Sequence, residues 1–156
     1  MWQRIQTLYF ILVIGLMTAA ILLPNAEFFL QEKNITYQLD SRGMVELDEQ
    51  GAAKGVIGTN PLTFLFGFII FIALYTIISF KNRRRQIRMA TINLLLIIIY
   101  IAAMVIYIMV AKNKLNAIVT WNYPVIFPLI ALIFNYLGMR GVAKDEKLVR
   151  SLDRLR

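Results

Sequence analysis

The stretch that decides the fold is residues 62–88, LTFLFGFIIFIALYTIISFKNRRRQIR. Its first 19 residues carry no charge, whereas its last eight include five of the chain's 17 basic residues. An uncharged apolar run of about 20 residues is long enough to cross a bilayer as a helix. The basic cluster that follows is typical of a short loop retained in the cytoplasm. The pattern therefore predicts a transmembrane helix that ends in a cytoplasmic turn.

Three further apolar runs flank this stretch, at residues 5–23, 89–111 and 123–139, and all four runs lack Asp, Glu, Lys and Arg. We expect an all-α membrane protein: an up-down bundle of four transmembrane helices that forms one integral membrane domain over residues 1–156. The first run also resembles a cleavable signal peptide, because small residues lie near its end. It is longer than the apolar part of most signal peptides, which favours a retained helix.

The charged residues divide unevenly between the two sides of this predicted bundle. Twelve basic and three acidic residues fall on one side, for a net charge of +9, and five basic and six acidic residues fall on the other, for −1. Positive residues in short loops are retained in the cytoplasm. The asymmetry predicts cytoplasmic termini, an outer loop at residues 25–60 and a cytoplasmic tail at residues 140–156. Membrane topology also accounts for the overall charge of +8, which in another protein could indicate a nucleic-acid partner. We therefore expect no specific nucleic-acid binding.

The composition excludes several kinds of chemistry. The chain contains no Cys and no His, so it has no thiol, disulfide, thiolate metal site or imidazole ligand. General acid–base catalysis by histidine is excluded as well. We identify no catalytic residue, no cofactor and no metal site, and we do not expect an enzyme.

Small and polar residues within the runs predict how the helices pack. Small residues allow transmembrane helices to approach closely, which favours contacts at Gly15 and Ala19, at Gly67 and Ala73, and at Ala102 and Ala103. Asn93 follows Arg88 by five residues and Asn135 precedes Arg140 by five, so the two amides lie at similar depth. We expect them to face the interior and to form a structural interhelical pair; the alternative is a substrate site. Pro124 and Pro128 predict an irregular start to the fourth helix.

The outer loop contains a predicted β-hairpin. Apolar and polar residues alternate over residues 35–39, a turn follows at residues 41–43, and a partner strand is predicted at residues 44–47. One hairpin is marginally stable alone, so it must lie on the bundle or bind a partner. We interpret residues 51–61 as a loop that returns to the second helix. The candidate contact residues of the hairpin are Ile35, Tyr37, Leu39, Met44, Val45 and Leu47.

The tail predicts a short amphipathic helix from Lys144 to the end of the chain, with leucines on one face and basic residues on the other. A helix of this kind binds anionic lipid headgroups at the cytoplasmic surface, or it docks onto a cytoplasmic protein or ribonucleoprotein. The basic loop before the third helix is a second place for lipid or partner contact. The candidate residues in both segments are Arg83, Arg84, Arg85, Arg88, Lys147, Leu148, Arg150, Leu152, Arg154 and Leu155.

Several short segments together resemble one protein family. They are residues 4–7 (RIQT), 81–83 (KNR), 86–88 (QIR), 127–128 (FP), 135 (N), 140–141 (RG) and 144–156 (KDEKLVRSLDRLR). The chain resembles an uncharacterised family of small four-helix bacterial inner-membrane proteins, a domain of unknown function. This resemblance implies the fold and no activity. In layout alone, the chain also resembles claudin-like four-helix proteins, which carry strands in the first outer loop.

Two classes of function follow from these features. A transporter usually places ionisable residues within the membrane, and the four runs contain none. We therefore expect a non-catalytic accessory or structural subunit of a larger inner-membrane complex, for example in protein export, insertion or envelope maintenance. The alternative is a small-solute transporter or channel formed by an oligomer. We identify no small-molecule substrate.

Overall fold

The structure is a computed structural model that describes residues 3–30, 35–39, 43–47, 53–58 and 60–153. It contains four long helices, and a small antiparallel sheet lies at one end of them. The helices are α1 (Gln3–Leu22), α2 (Asn60–Ile78), α3 (Arg83–Leu115) and α4 (Phe127–Asp153). The strands are β1 (Ala26–Leu30), β2 (Ile35–Leu39), β3 (Gly43–Leu47), β4 (Ala53–Gly58) and β5 (Ile118–Trp121).

All four helices are long and apolar enough to cross a membrane. The four runs predicted from the sequence lie almost entirely within them. Short 3-10 turns replace the predicted ends at two places, Ser79–Lys81 after α2 and Tyr123–Ile126 before α4. The second turn contains Pro124, and Pro128 lies in the first turn of α4, where a missing N–H costs no helical hydrogen bond.

The helices form a ring in which α1 packs on α2 and α4, and α3 packs on the same two helices. Each helix contributes side chains with no exposed surface to the centre of this ring. They include Val13 and Met17 of α1, Ile69 of α2, Ile97 and Tyr100 of α3 and Ala131 of α4. Most other large side chains face outward, as expected for helices surrounded by lipid.

The tail is not a separate helix, which corrects the sequence-based prediction. Helix α4 continues without a break from Phe127 to Asp153. The tail is helical from Lys144 to Asp153, as predicted, but it belongs to the same helix as the fourth apolar run. Gly141 lies inside this helix, although glycine disfavours a helix interior. Gly141 lies against α1: a Cβ atom there would come within 3.1 Å of Cγ of Gln6. The packing of α1 therefore explains a glycine in the middle of α4.

The sheet is larger than the predicted hairpin. Its strand order is β4-β3-β2-β1-β5, and every neighbouring pair is antiparallel. The predicted hairpin is present as β2 and β3, with Leu39 opposite Met44. Strand β4 occupies part of the segment that we interpreted as a returning loop, which corrects that interpretation. Strands β1 and β5 were not predicted, and their pairing joins the segment between α1 and α2 to the segment between α3 and α4.

One face of the sheet covers the end of the helix bundle. Residues directly opposite in neighbouring strands share a face, and Ala26, Phe28, Leu39 and Met44 on this face are buried in the main apolar core. Two backbone hydrogen bonds close the junction: the N–H of Asn25 donates to the carbonyl of Leu39, and the N–H of Asn122 donates to the carbonyl of Asn25. The sheet is therefore part of the same core as the bundle.

The predicted small-residue contacts are correct only in part. Ala73 is buried, but Gly15, Gly67 and Ala102 are exposed. A Cβ atom at either exposed glycine would meet nothing within 4 Å. The closest approach of helices at a glycine is instead at Gly138, where a Cβ atom would lie 3.0–3.3 Å from three atoms of the Phe10 ring. Gly138 and Gly141 therefore hold α1 and α4 close together.

Candidate functional site: the basic end of the bundle

The end of the bundle opposite the sheet carries most of the charge. We call it the basic end, and it comprises the start of α1, the turn at residues 79–82 with the start of α3, and α4 from Arg140 onward. Three of the four helices meet there through polar side chains. Their contacts decide what this surface can bind.

The turn between α2 and α3 positions the basic cluster. The 3-10 turn at Ser79–Lys81 buries Ser79, and the N–H of Asn82 donates to its carbonyl oxygen. Gln86, which is also buried, begins the helical hydrogen bonding of α3 by donating its N–H to the carbonyl of Asn82. The three consecutive arginines therefore form the first turn of α3. Positive charge at a helix N-terminus interacts unfavourably with the helix dipole. The three arginines therefore do not stabilise α3 through their charge, and another role must account for them.

Two of these arginines bind α4. Arg83 donates from Nη1 to the backbone carbonyl of Asp145 over 2.9 Å. Arg84 donates from Nε to Oε1 of Glu146 over 3.0 Å. The carboxylate side of this ion pair is 15% exposed, whereas the Arg84 side chain is 72% exposed. The pair thus orients the tail part of α4 but leaves much of the guanidinium accessible.

Helix α1 is joined to the same part of α4. The buried Gln6 donates from Nε2 to Oδ2 of Asp145 over 2.7 Å. Phe10, one turn further along α1, packs with Ala90 and Val142 in a small apolar cluster below this bond. The close contacts of Gly138 with Phe10 and of Gly141 with Gln6 set the separation of the two helices. Asp145 therefore connects α1, α3 and α4 at one point.

A groove of about 460 Å³ opens between α1 and α4 at this point. Its α1 wall consists of Ile5, Gln6 and Tyr9, and its α4 wall consists of Leu137, Arg140, Gly141, Lys144 and Asp145. Arg140 and Lys144 are exposed and lie one helical turn apart, so both cations are on the same face of α4. The Tyr9 ring stacks on Phe134, with centroids 6.0 Å apart. The groove thus combines an apolar floor with a charged mouth.

The structure brings the predicted asparagine pair together. Asn93 donates from Nδ2 to Oδ1 of Asn135 over 3.1 Å, and Asn135 donates from Nδ2 to the carbonyl of Ala90 over 2.9 Å. Both amides are fully buried. Oδ1 of Asn93 has no hydrogen-bond partner among the residues that the structure describes. The pair joins α3 to α4 in the interior, where no ligand reaches it without displacing core side chains.

The other predicted lipid or partner residues are distributed over this end. Arg85, Arg88, Lys147 and Leu148 are exposed, and the Arg85 guanidinium lies over the Tyr75 ring at 5.9 Å. Arg150 and Leu152 belong to α4, for which only the backbone is described at these positions. Arg154 and Leu155 lie outside the described residues. These basic residues lie on both α3 and α4, and those that the structure describes are not among the residues that line the groove.

The hairpin residues lie at the opposite end. Leu39 and Met44 are buried against the bundle, so they contribute to the protein's own core rather than to a partner surface. Tyr37 and Val45 are half-buried. For Ile35 and Leu47 the structure describes the strand backbone only.

Sequence reasoning singled out Arg83, Arg84 and Lys147 at this end, but it missed the two groove cations, Arg140 and Lys144, as site residues. It also missed the groups that organise the site. Gln6, Asp145, Glu146 and the two glycines of α4 were not singled out as site residues. The spacing of Gly138 and Gly141 was a usable signal, because small residues three or four positions apart mark close helix contacts. Within the described parts of the chain, no three Asp, Glu, His or Cys side chains form a group able to hold a metal ion.

The comparison with known families identifies one family. The family model described as "Domain of unknown function (DUF4293)" matches residues 2–155. The chain belongs to this family. The match covers nearly the whole chain, and it includes both the bundle and the sheet of this DUF4293 protein. In the comparison with curated proteins, none matches the chain. The family carries no activity to transfer, so any functional argument must rest on the surfaces described above.

Proposed function

We propose that the protein is a non-catalytic accessory subunit of a larger complex in a bacterial inner membrane. The observation that carries this proposal is the filled and uncharged centre of the bundle. The buried side chains of four helices occupy the axis. The four apolar runs at residues 5–23, 62–80, 89–111 and 123–139 contain no Asp, Glu, Lys or Arg. Pathways for ions and polar solutes through membranes are lined by ionisable or polar groups. A packed, uncharged axis whose asparagines, Asn93 and Asn135, bind each other supports a scaffold rather than a conduit.

The outward face of α2 is where we expect a partner helix. Phe64, Phe68 and Phe71 are 60–72% exposed there, and the exposed Gly67 lies among them. A Cβ atom at Gly67 would meet nothing within 4 Å among the residues that the structure describes, so none of these residues packs against this glycine. Glycine on a membrane helix permits close approach of another helix, and aromatic rings beside it provide large contact surfaces. The proposed partner is therefore a transmembrane helix of another protein.

The orientation belongs to the same proposal. We place the basic end and both termini in the cytoplasm, because the basic end carries the net charge of +9. The chain has no cysteine, so single cysteines report their location without background. Lys147→Cys at the basic end and Lys114→Cys near the sheet are matched, since both side chains are exposed. In intact cells, a membrane-impermeant maleimide should label the second variant through the periplasm and spare the first. The reverse pattern would contradict the orientation.

The partner is tested by purification in a gentle detergent, followed by mass spectrometry of the co-purifying proteins. We expect a larger membrane protein in fixed stoichiometry with the native chain. Gly67→Leu should remove it, because the new side chain fills the space that a partner helix needs. Ala102→Leu is the matched control, since Ala102 is also exposed within a transmembrane helix.

The outcomes separate the proposal from its alternative. Loss of the partner from Gly67→Leu but not from Ala102→Leu supports a subunit that binds through α2. Recovery of only a monomer or homo-oligomer from the native chain contradicts it. Solute uptake by liposomes that contain the purified chain alone would instead establish a transporter.

A further inference from the structure

The groove between α1 and α4 has a composition that the scaffold role does not require. Four of the five residues of its α4 wall, Leu137, Arg140, Gly141 and Lys144, repeat at intervals of three or four residues and so form one stripe, with Asp145 beside it. Two exposed cations thus lie directly beside an apolar side chain. A solvated helix surface needs no such stripe, and a helix contact would not leave the groove open.

The position of the groove matches the boundary of the apolar layer. Leu137 belongs to the last uncharged turns of α4, and Arg140 is the first charged residue after them. On α1, Tyr9 lies one turn deeper than Ile5, which begins the uncharged run. The floor of the groove therefore faces the acyl chains, and its mouth faces the headgroups.

From this geometry we infer that the groove binds an anionic phospholipid. Arg140 and Lys144 bind the phosphate through charge-assisted hydrogen bonds, and the acyl chain lies along Ile5, Tyr9 and Leu137. Basic pockets between transmembrane helices on the cytoplasmic side are suited to anionic headgroups. The volume of about 460 Å³ is within the range of small-molecule sites.

Asp145 narrows the choice of headgroup. Its carboxylate lines the groove and accepts one bond from Gln6, at Oδ2, which leaves acceptor capacity for a hydroxyl group. The same negative charge disfavours a phosphate monoester with two charges. A phosphodiester whose headgroup carries hydroxyls satisfies both conditions, so we assign the site to phosphatidylglycerol rather than to phosphatidic acid.

A second groove at the opposite end provides an internal comparison. It has a volume of about 380 Å³ and is lined by Lys112 together with apolar side chains that include Met109, Ile118 and Trp121. This second groove has one cation where the first has Arg140 and Lys144. Its lining contains no carboxylate that could accept a hydrogen bond from a headgroup hydroxyl, as Asp145 can in the first groove. It does not select an anionic headgroup in the same way.

Native mass spectrometry of the purified chain tests the site with phosphatidylglycerol, phosphatidic acid and phosphatidylethanolamine of identical acyl chains. The Arg140→Gln/Lys144→Gln variant should weaken phosphatidylglycerol binding roughly thirtyfold, from the usual contribution of two basic side chains at an anionic surface. Arg88→Gln/Lys147→Gln is the matched control, because it removes two exposed cations of the same end outside the groove. Asp145→Asn should reduce the preference for phosphatidylglycerol over phosphatidic acid.

Each result bears directly on the assignment. Equal losses in the two double variants would show a general charge effect and overturn the site. Equally tight binding of phosphatidylethanolamine, or displacement of the lipid by inorganic phosphate, would overturn the assigned ligand. On the native chain, a photoactivatable phosphatidylglycerol should cross-link to residues 5–9 and 137–145. Cross-links spread evenly over all four helices would contradict the proposal even if a variant failed to fold.

Discussion

Nδ2 of Asn93 lies 3.1 Å from Oδ1 of Asn135, and this bond joins α3 to α4 inside the apolar bundle. Asn135→Leu removes the acceptor and leaves the buried amide of Asn93 without it, which should lower the free energy of unfolding by about 1–3 kcal/mol. Asn93→Leu/Asn135→Leu removes both amides and should recover part of that loss. The double-mutant cycle, measured by reversible unfolding in detergent micelles, should give a coupling of about 0.6 kcal/mol.

A coupling of zero would contradict the structural role of this pair. It would mean that each amide finds another partner when the first is removed. The cycle also needs Asn93→Leu alone. Far-ultraviolet circular dichroism of the two single variants and the double variant is the control, since the helical content should not change. The pair lies among side chains with no exposed surface, so we expect lipid binding at the basic end to be unaffected.

The depth of the two asparagines was predictable because it depends only on counting residues from the charged helix ends. The four spans were predictable for the same reason, since length and absence of charge decide them. The hairpin was also predicted, because residues 35–39 alternate clearly. These features are local, and each is specified by a short stretch of sequence.

Strands β1 and β5 were not predictable in this way. In β1, Phe28 and Phe29 are both apolar, although only Phe28 is buried, so the alternation that marks a strand is absent. Strand β5 has four residues and pairs with β1 across most of the chain. The tail was predicted as a helix of its own, whereas it continues α4 through Gly141, whose contact with Gln6 depends on how α1 packs. Contacts that are distant in sequence decided each of these elements.

In the candidate site, too, some features follow from local sequence and others from contacts that are distant in sequence. Arg83, Arg84 and, on α4, Lys147 and Arg150 were identified by their charge and pattern, whereas Arg140 and Lys144 were not among the candidate residues. The bond from Gln6 to Asp145 was not identified, because neither residue is unusual in sequence and their contact spans 139 positions. The groove also depends on that contact, so no local pattern could have indicated it.

The glycines of the bundle give a second prediction. Gly138→Ala places a methyl group 3.0–3.3 Å from the buried ring of Phe10 and should force α1 away from α4. Gly15→Ala is the matched control, because its Cβ atom meets nothing within 4 Å. Alanine favours a helix over glycine by about 1 kcal/mol, so the control should gain stability. Overpacking typically costs about 1–3 kcal/mol, so Gly138→Ala should be less stable than Gly15→Ala.

Thermal unfolding of both variants in the same detergent measures this difference. Equal stabilities would show that the Phe10 ring moves without cost, and that the two helices are not held at this distance by Gly138. If Gly15→Ala were less stable than the native chain, the methyl group would be meeting another molecule at this exposed position, such as a second copy of the chain.

The pairing of β1 with β5 gives a third prediction, which also tests the orientation. Phe29 and Ile118 lie opposite each other in the register, and both side chains are exposed. Directly opposite residues of antiparallel strands are about 4.5–5.5 Å apart at Cα, which a disulfide can span. Since the chain has no cysteine, Phe29→Cys/Ile118→Cys can form only this intramolecular disulfide. In an oxidising periplasm it should form without added oxidant.

The control for this disulfide is Phe29→Cys/Val119→Cys, because Val119 pairs with Phe28 and its side chain lies on the other face of the sheet. Free thiols are counted after alkylation of whole cells and mass spectrometry of the purified chain. Oxidation of the first pair but not of the second supports both the register and an outer location of the sheet. Equal oxidation of both pairs would contradict the register. If both pairs stay reduced in cells and only the first is oxidised by added oxidant in detergent, the register is correct and the sheet faces the cytoplasm.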